Sequence, residues 1–280
     1  MRRIGSAAEM AAIAERTRGE GGTIAFVPTM GALHDGHGSL LAEARRRGGL
    51  SVLSIFVNPL QFGPTEDLAR YPRTPEADEA RARAAGVDVI YAPAPEAMYP
   101  SGFATRVRVE GLDAPMCGAS RPGHFTGVAT VVLKLLHAVR PHVALFGRKD
   151  YQQLQIIRRM VRDLDLGVEI VGMPIVREPD GLAMSSRNAY LSAEERARAL
   201  ALSRGLRAAE AAFAGGERDA ARLATEARRP LEEQQLAIDY VDVRDGESLE
   251  ALSRVERAAV LAVAARVGKT RLIDNVVLSP

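Results

Sequence analysis

The chain has one cysteine, Cys117, and no tryptophan among its 280 residues. A single cysteine excludes a disulfide within the chain, and it also excludes zinc sites built from several cysteines. Cys117 has no base beside it in the sequence, so we do not expect it to act as a nucleophile. A chain without disulfides suits a reducing compartment, and we therefore expect a cytoplasmic location.

Long apolar runs and an excess of charge are absent as well. No stretch approaches the length of about 18 apolar residues that a membrane-spanning helix needs. Glu9 and Glu15 interrupt the N-terminal segment where a secretion signal would be apolar. The net charge is +2, and the arginines are spread along helix-like segments opposite acidic residues. We therefore expect neither a membrane nor a nucleic acid as a partner.

Short apolar segments alternate with helix-like segments through the first two thirds of the chain. Runs that are apolar throughout are typical of strands buried on both faces of a parallel sheet. Their alternation with helices predicts an α/β fold, a Rossmann-like parallel sheet with helices on both faces. The predicted strands are 23–29, 50–58, 87–93, 142–147 and 168–176, and the predicted helices are 38–47, 76–86, 126–139 and 151–165.

The pattern changes after Arg177. Ser192 and Glu195 form a capping-box signature, which opens an alanine-rich helix. We therefore expect two domains, residues 1–175 with the parallel sheet and a smaller α+β domain, residues 176–280. The elements predicted in the second domain are a helix to about residue 213, a helix over 219–234, and strands over 237–245, 258–268 and 270–278.

Two of the five histidines, His34 and His37, stand three residues apart, shortly after the first predicted strand. Ligands of open α/β sheets bind beyond the carboxyl ends of the strands. A helix that begins there offers free N–H groups to a phosphate. Gly31 and Gly36 allow the backbone to approach a ligand closely. The two imidazoles can point the same way and donate hydrogen bonds, which favours a phosphate site.

Two other interpretations of this histidine pair stay open at this point. A metal site would need a third ligand, and the nearby Asp35 points elsewhere on the helical turn. The histidines could also serve only as helix caps or as solvated surface groups. A P-loop and a G-x-G-x-x-G dinucleotide motif are both absent from the sequence, so neither of these known phosphate sites applies.

The segment LHDGH, residues 33–37, resembles the H-x-G-H signature of nucleotidyl-transferring enzymes with Rossmann-like folds. The segment LAMSSRN, residues 182–188, stands where that superfamily has a second loop of K-M-S-K-S type, and Arg187 supplies its positive charge. Four longer segments, 54–74, 116–132, 145–154 and 174–192, resemble the pantoate–β-alanine ligase family, in the same order. Asp35 departs from this family, which more often has glutamate at that position.

The resemblance implies an enzyme that condenses pantoate with β-alanine, with nucleotide and pantoate bound by residues 1–175 and residues 176–280 closing over the site. ATP would convert the pantoate carboxylate, a poor electrophile, into pantoyl-adenylate and pyrophosphate, and β-alanine would then displace AMP to give pantothenate, a precursor of coenzyme A. The resemblance also implies Mg²⁺, bound mostly through phosphates and waters, and a homodimer. No protein ligand for the metal is assigned.

Three side chains would carry the chemistry by resemblance. His37 would donate a proton or stabilise phosphate, His34 would hold the β- and γ-phosphates, and Lys149 would neutralise charge at the α-phosphate. ATP contacts are implied for Met30, Gly31, Ala32, Leu33, His34, Asp35, Gly36 and His37, for Gly147, Arg148, Lys149 and Asp150, and for Val176, Met184, Ser185, Ser186 and Arg187.

Two glutamines match the pantoate-binding positions of the family, Gln61 and Gln153, and Gln61 is also the implied neighbour of β-alanine. An amide both donates and accepts, so it can bind hydroxyl and carboxylate groups. Asn58 and Arg121 are weaker candidates, and His124 is either structural or close to the site.

Two alternative functions are kept. The first is another H-x-G-H nucleotidyltransferase acting on a different small acid or phosphate. The second is a nucleotide-binding regulator without activity, against which the intact His34, His37 and Lys149 argue.

Overall fold

The computed structural model describes residues 1–64 and 66–280. Six parallel strands form one sheet in the order β1-β4-β3-β2-β5-β6. Helices connect the strands, so the predicted α/β fold is confirmed. The strands are β1 Arg2–Ile4, β2 Ile24–Thr29, β3 Leu50–Ile55, β4 Val89–Tyr91, β5 Val143–Gly147 and β6 Glu169–Met173, and the helices are α1 Ala7–Gly19, α2 Asp35–Arg47, α3 Pro75–Ala84, α4 Pro95–Met98, α5 Cys117–Ser120, α6 His124–Val139 and α7 Tyr151–Asp163.

Both faces of the sheet are covered by helices, as the apolar character of β2 predicts. Ile24 and Phe26 face a core that includes residues of α1, α6 and α7. Ala25 and Val27 face a second core with residues of α2 and α3. Side chains of a strand alternate between the two faces, so a run buried on both sides must be apolar at every position.

The order of the strands reverses at β2. This strand pairs with β3 on one side and with β5 on the other, although β5 lies much later in the chain. Crevices open beyond the carboxyl ends of strands at such a switch point, and ligands of α/β sheets bind there. The loops after β2 and β5 carry His34 and Lys149, so the topology brings these two residues to one edge.

The C-terminal part forms an antiparallel sheet of three strands, in the order β7-β8-β9, with two helices against it. The Ser192 hydroxyl caps the first helix by accepting from the Glu195 backbone N–H at 3.1 Å. The Glu195 carboxylate in turn accepts from the Ser192 backbone N–H at 2.9 Å. The predicted capping box is therefore confirmed. The elements are α8 Ala193–Ala214, α9 Ala220–Glu233, β7 Ala237–Asp245, β8 Ala259–Val267 and β9 Thr270–Leu278.

The N-terminal elements β1 and α1 were not predicted. Arg2 and Arg3 are exposed, and β1 is a strand only because it pairs with β4, which no local pattern reveals. The predicted strands 50–58 and 168–176 are also shorter in the structure, since β3 ends at Ile55 and β6 runs over Glu169–Met173. Within the described part of the chain, no helix combines the length and apolar character needed to cross a membrane.

Candidate active site

The two histidines of the H-x-G-H segment lie side by side at the start of α2. Their ring centroids are 4.1 Å apart, with an angle of 37° between the ring planes. The backbone N–H of His34 donates to Nδ1 of His37 at 3.3 Å. A backbone N–H can only donate, so Nδ1 accepts and the neutral ring of His37 carries its proton on Nε2. Nδ1 of His34 is buried and has no hydrogen-bond partner among the described residues.

The loop before these histidines is held from outside the cavity by Asp78 of α3. The Asp78 carboxylate accepts from the backbone N–H of Ala32 at 2.9 Å and of Leu33 at 2.7 Å. Gly31 has φ +82°, and a Cβ there would lie 2.8 Å from Oδ2 of Asp78. A side chain at this position would clash with the carboxylate, and the positive φ would strain any residue other than glycine. Glycine is therefore required here.

Burial keeps the imidazoles of the cavity neutral. Burial first, and then the positive charge of Lys149, lower the pKa of His34 to about 4. Burial, followed by the neighbouring His34 and Lys149, lowers the pKa of His37 to about 3. Burial and the nearby Arg121 likewise lower the pKa of His124 to about 4. Near neutral pH these rings therefore act as hydrogen-bonding groups and not as cations.

These lowered values predict acid sensitivity. An unfolded chain protonates its histidines near pH 6.5, whereas folded His34, His37 and His124 resist protonation until about pH 3 to 4. The unfolded state therefore binds more protons in this window, and the free energy of unfolding should fall as the pH drops from about 6.5. Each histidine can contribute up to about 1.4 kcal/mol per pH unit.

Urea unfolding at about pH 7 and about pH 5 measures this slope. His37→Gln, which cannot be protonated, should reduce the slope. His137→Gln, at an exposed position of α6, serves as the control and should leave it unchanged. An identical slope in the His37 variant and the parent would contradict the prediction.

Lys149 follows β5 and faces the same cavity as the histidines. Its side chain is 19% exposed, and Nζ lies 3.3 Å from Oδ2 of Asp150. Asn275 of β9 holds the backbone here, because its amide donates to the carbonyls of Arg148 at 3.0 Å and Lys149 at 2.9 Å. The C-terminal sheet thus positions a loop of the parallel sheet.

Gln61 lies in a 3-10 turn, Pro59–Gln61, that follows β3. It is 8% exposed. Its Oε1 accepts from Asn58 at 3.1 Å, and Nε2 contacts Sδ of Met30 at 3.0 Å. Asn58 also donates to the Gly127 carbonyl at 3.0 Å. Gln153, on the first turn of α7, lines the same cavity, so the two predicted pantoate-binding amides are brought together.

His124 and Arg121 both contact the backbone carbonyl of Gln61. Nη1 of Arg121 lies 3.0 Å from Nε2 of His124, and Nδ1 of His124 lies 2.8 Å from the Gln61 carbonyl. A guanidinium can only donate, so Nε2 accepts and Nδ1–H donates to the carbonyl. Arg121 also forms two hydrogen bonds with Glu66, at 2.7 and 2.6 Å. Both residues line the cavity, which places His124 at the site.

The segment Ser185–Arg187 also lines the cavity. Arg187 pairs with Asp67 through two hydrogen bonds, at 3.0 and 2.8 Å. Its guanidinium also lies 5.6 Å from the ring centroid of Tyr71, whose hydroxyl is 3.2 Å from the Ser186 hydroxyl. An arginine in this position offers a planar set of donors suited to phosphate.

Most of the predicted residues line one cavity; five do not, and neither does the weaker candidate Asn58, which donates to Gln61. Ala32 and Leu33 use their N–H groups on Asp78, and Gly31 packs against that carboxylate. Asp35 pairs with Arg81 and is 74% exposed at its side chain, and Arg148 donates from Nε to the Gly172 carbonyl. Their contact with ATP stays a prediction. Predicted residues in the cavity wall are Met30, His34, Gly36, His37, Gln61, Gly147, Lys149, Asp150, Gln153, Val176, Met184, Ser185, Ser186 and Arg187.

Several residues of the wall were not predicted. Thr29, Phe62 and Tyr71 line the cavity together with the apolar Leu40 and Phe56. The place of Thr29 in the wall could have been predicted from the sequence, because the last residue of a strand at a switch point faces the ligand crevice. The aromatic residues lie in an irregular segment whose path the periodicity does not reveal.

Comparisons with known proteins give one answer. The sequence model of the family described as pantoate-beta-alanine ligase matches residues 2–277. Proteins named pantothenate synthetase are similar along almost the whole chain. The one from Geobacter sulfurreducens is 57% identical over 279 residues, covering 99% of each chain. The one from Myxococcus xanthus is 60% identical over 264 residues, covering 93% of this chain and 90% of its own.

Solved structures agree with the sequence relatives. The crystal structure of pantothenate synthetase from Thermus thermophilus has a TM-score of 0.95 and 49% identity, with both chains fully covered. Pantoate-beta-alanine ligase from Francisella tularensis, complexed with beta-gamma ATP and beta-alanine, has a TM-score of 0.82 and 31% identity, with 99% of this chain and 97% of that chain covered. This chain belongs to the pantoate–β-alanine ligase family.

Proposed function

We propose that this protein catalyses the ATP-dependent condensation of pantoate with β-alanine, giving pantothenate, AMP and pyrophosphate through a pantoyl-adenylate. The observation that carries the proposal is the cavity at the strand switch point, which His34, His37 and Lys149 line together with Gln61 and Gln153. This cavity combines phosphate-binding groups with amides suited to a small hydroxy acid.

The phosphate-binding groups support attack of the pantoate carboxylate on the α-phosphorus of ATP. A new P–O bond forms to pantoate, the bond to the β-phosphate breaks, and pyrophosphate leaves with the electron pair. Lys149 would neutralise charge on the α-phosphate, and His37 would donate from Nε2–H. His34 has a buried Nδ1 without a protein partner among the described residues. Such an atom is satisfied when a ligand or water supplies the missing partner.

The two amides support pantoate binding. The apolar side chains of Val128 and Val131 line the same cavity as Gln61 and Gln153, and they suit the two methyl groups of pantoate. β-Alanine would then attack the acyl carbon from the side of Gln61, and AMP would leave with the bonding pair of its phosphate oxygen. The amine must lose a proton, which water or a group lining the cavity, such as the carboxylate of Asp150, would take up.

Replacing Gln153 by alanine should raise the KM for pantoate about 10-fold or more, because a hydrogen bond to a polar substrate group is lost. Steady-state kinetics with varied pantoate at saturating ATP measures it. Gln152→Ala is the matched control, one position earlier on α7. Its amide instead holds the Leu112 and Pro115 carbonyls and the Cys117 N–H. That variant should lose stability with little change in KM, and a similar KM in both variants would contradict the role of Gln153.

One assay separates this function from its alternatives. Purified protein receives ATP, Mg²⁺ and pantoate, with and without β-alanine, while pyrophosphate and AMP are followed. The proposal requires pyrophosphate with pantoate alone and release of AMP that depends on β-alanine. A different nucleotidyltransferase would make no pyrophosphate with pantoate, and a regulator would bind ATP without forming pyrophosphate at all.

We also propose that ATP brings Mg²⁺ with it. The described residues contain no group of three His, Cys, Asp or Glu side chains placed to hold a metal. This fits Mg²⁺, which keeps several waters and binds through substrate phosphates with one or two carboxylates. Asp150 borders the cavity beside Lys149 and would face the ion, which would supply charge neutralisation along the triphosphate.

Three broader predictions complete the proposal. We propose a domain boundary near residue 176; the end of the parallel sheet at β6 and the separate antiparallel sheet after it support this boundary. A homodimer is proposed by family resemblance, and light scattering on purified protein tests it. A cytoplasmic location is proposed from the single cysteine, since no disulfide can form within the chain.

A further inference from the structure

Asp78 is a buried carboxylate that does not line the proposed active-site cavity. It is 2% exposed, and it lies on α3, outside the cavity wall. Three donors satisfy it: the N–H groups of Ala32 and Leu33, and the Thr74 hydroxyl at 3.2 Å. A buried carboxylate is costly unless it is hydrogen-bonded in this way, so its place in the fold calls for a reason.

The backbone that Asp78 holds is in an unfavourable conformation. Ala32 has φ +50°, in the left-handed region that residues other than glycine rarely adopt, and Gly31 precedes it at φ +82°. An alanine in this region costs about 1 kcal/mol or more. The two hydrogen bonds from successive N–H groups to the Asp78 carboxylate offset that cost.

A second contact from the same helix acts on the same loop. Arg81, one turn further along α3, donates to the Asp35 carboxylate at 3.0 Å. Helix α3 thus holds the loop on both sides of His34. The next N–H along the chain is that of His34, and it donates to Nδ1 of His37.

We propose that Asp78 is a positioning residue for the proposed ligase reaction, fixing the turn at residues 31–33 so that His34 and His37 face the nucleotide together. The inference rests on the proposed function for its catalytic consequence. Its structural part, the orientation of the two imidazoles, can be tested without any substrate.

Asp78→Asn tests the proposal. Asparagine keeps the size of aspartate but replaces one oxygen by a second donor, so one of the two backbone N–H groups would face an NH₂ group. We expect kcat for adenylate formation to fall about 10- to 100-fold, because small displacements of reacting groups have effects of that size. The KM for pantoate should stay within about twofold, since Gln61 and Gln153 lie elsewhere.

Asp88→Asn is the matched control. Asp88 also accepts from a backbone N–H and a hydroxyl, both of Ser51 at 2.8 Å, but it lies at the opposite edge of the sheet. It should lose stability without losing kcat. Equal losses of kcat in both variants would reduce Asp78 to a structural residue and overturn the proposal.

NMR titration of the histidines in the protein without ligands gives an independent result. A displaced turn would remove the His34 N–H from Nδ1 of His37, and the two titrations should move in Asp78→Asn but not in Asp88→Asn. Unchanged titrations together with normal kcat would overturn the positioning role. If the wild type forms no adenylate while the titrations move, the ligase function fails and the positioning of the imidazoles stands.

A second variant covers the case in which Asp78→Asn does not fold. Thr74→Val removes the hydroxyl that donates to Oδ1 of Asp78 and leaves the carboxylate in place. We expect a smaller decrease in kcat in the same direction, with the same movement of the histidine titrations. If a folded Thr74→Val protein shows neither the decrease in kcat nor the movement of the histidine titrations, the proposal is overturned.

Discussion

Replacing His37 by alanine is expected to lower kcat at least about 100-fold, the effect of removing one preorganised donor from developing phosphate charge. Nδ1 of His37 is occupied by the His34 N–H, and burial, followed by His34 and Lys149, lowers the pKa of the ring to about 3. The side chain therefore acts as a neutral donor through Nε2–H. Single-turnover formation of pyrophosphate from ATP and pantoate measures the loss directly.

Two further variants sharpen this test. His37→Gln places an uncharged N–H near the position of Nε2 and should recover part of the rate, whereas a mechanism that needs an imidazolium would give no recovery. His142→Ala is the control, because Nδ1 of His142 also accepts a backbone N–H, that of Ile24 at 2.9 Å. His142 precedes β5, at the other edge of the sheet from the site. Near-normal turnover in His37→Ala would remove the assigned role.

Replacing Lys149 by methionine should have a comparable effect, again at least about 100-fold on kcat. Methionine keeps much of the length of the side chain and removes its charge. The Nζ atom lies in the cavity, with its side chain 19% exposed, so bulk water screens the lost charge only in part. Pre-steady-state measurement of pyrophosphate release separates an effect on adenylate formation from one on the second step.

Lys134→Met provides the matched control for charge removal. Lys134 lies on α6, and its Nζ is 4.9 Å from the ring centroid of Phe103, outside the proposed site. Its variant should keep kcat. Lys149→Arg should recover little, since a planar guanidinium does not replace a compact ammonium group. Full activity of Lys149→Met would rule out a role for its charge in adenylate formation.

The sequence allowed most of the fold to be predicted because the signals are local. The apolar run of β2 and the capping box of Ser192 and Glu195 each reside in a few neighbouring residues. Strand β1 could not be predicted, since its three residues have no apolar pattern and owe their conformation to pairing with β4. Helix α1 buries Met10, Ile13 and Ala14, a helical spacing that the alanine-rich surroundings obscure.

The candidate site divides in the same way. His34, His37, Lys149 and Arg187 belong to motifs and were predicted from them. Asp78 was missed, because it lies 46 residues from Ala32 along the chain and belongs to a helix that is mostly polar. The available signal was its spacing of four residues from the buried Ala82, which puts the carboxylate on the inward face of α3.

The bond from Asn275 to the backbone of Lys149 has a consequence for synthesis of the protein. The two residues are 126 positions apart, so a ribosome adding about 5 to 20 residues per second makes the lysine some 6 to 25 seconds before the asparagine that holds it. During that interval the parallel sheet can already form, while the lysine loop lacks its support. A growing chain would thus acquire its cavity before it acquires the means to use ATP there.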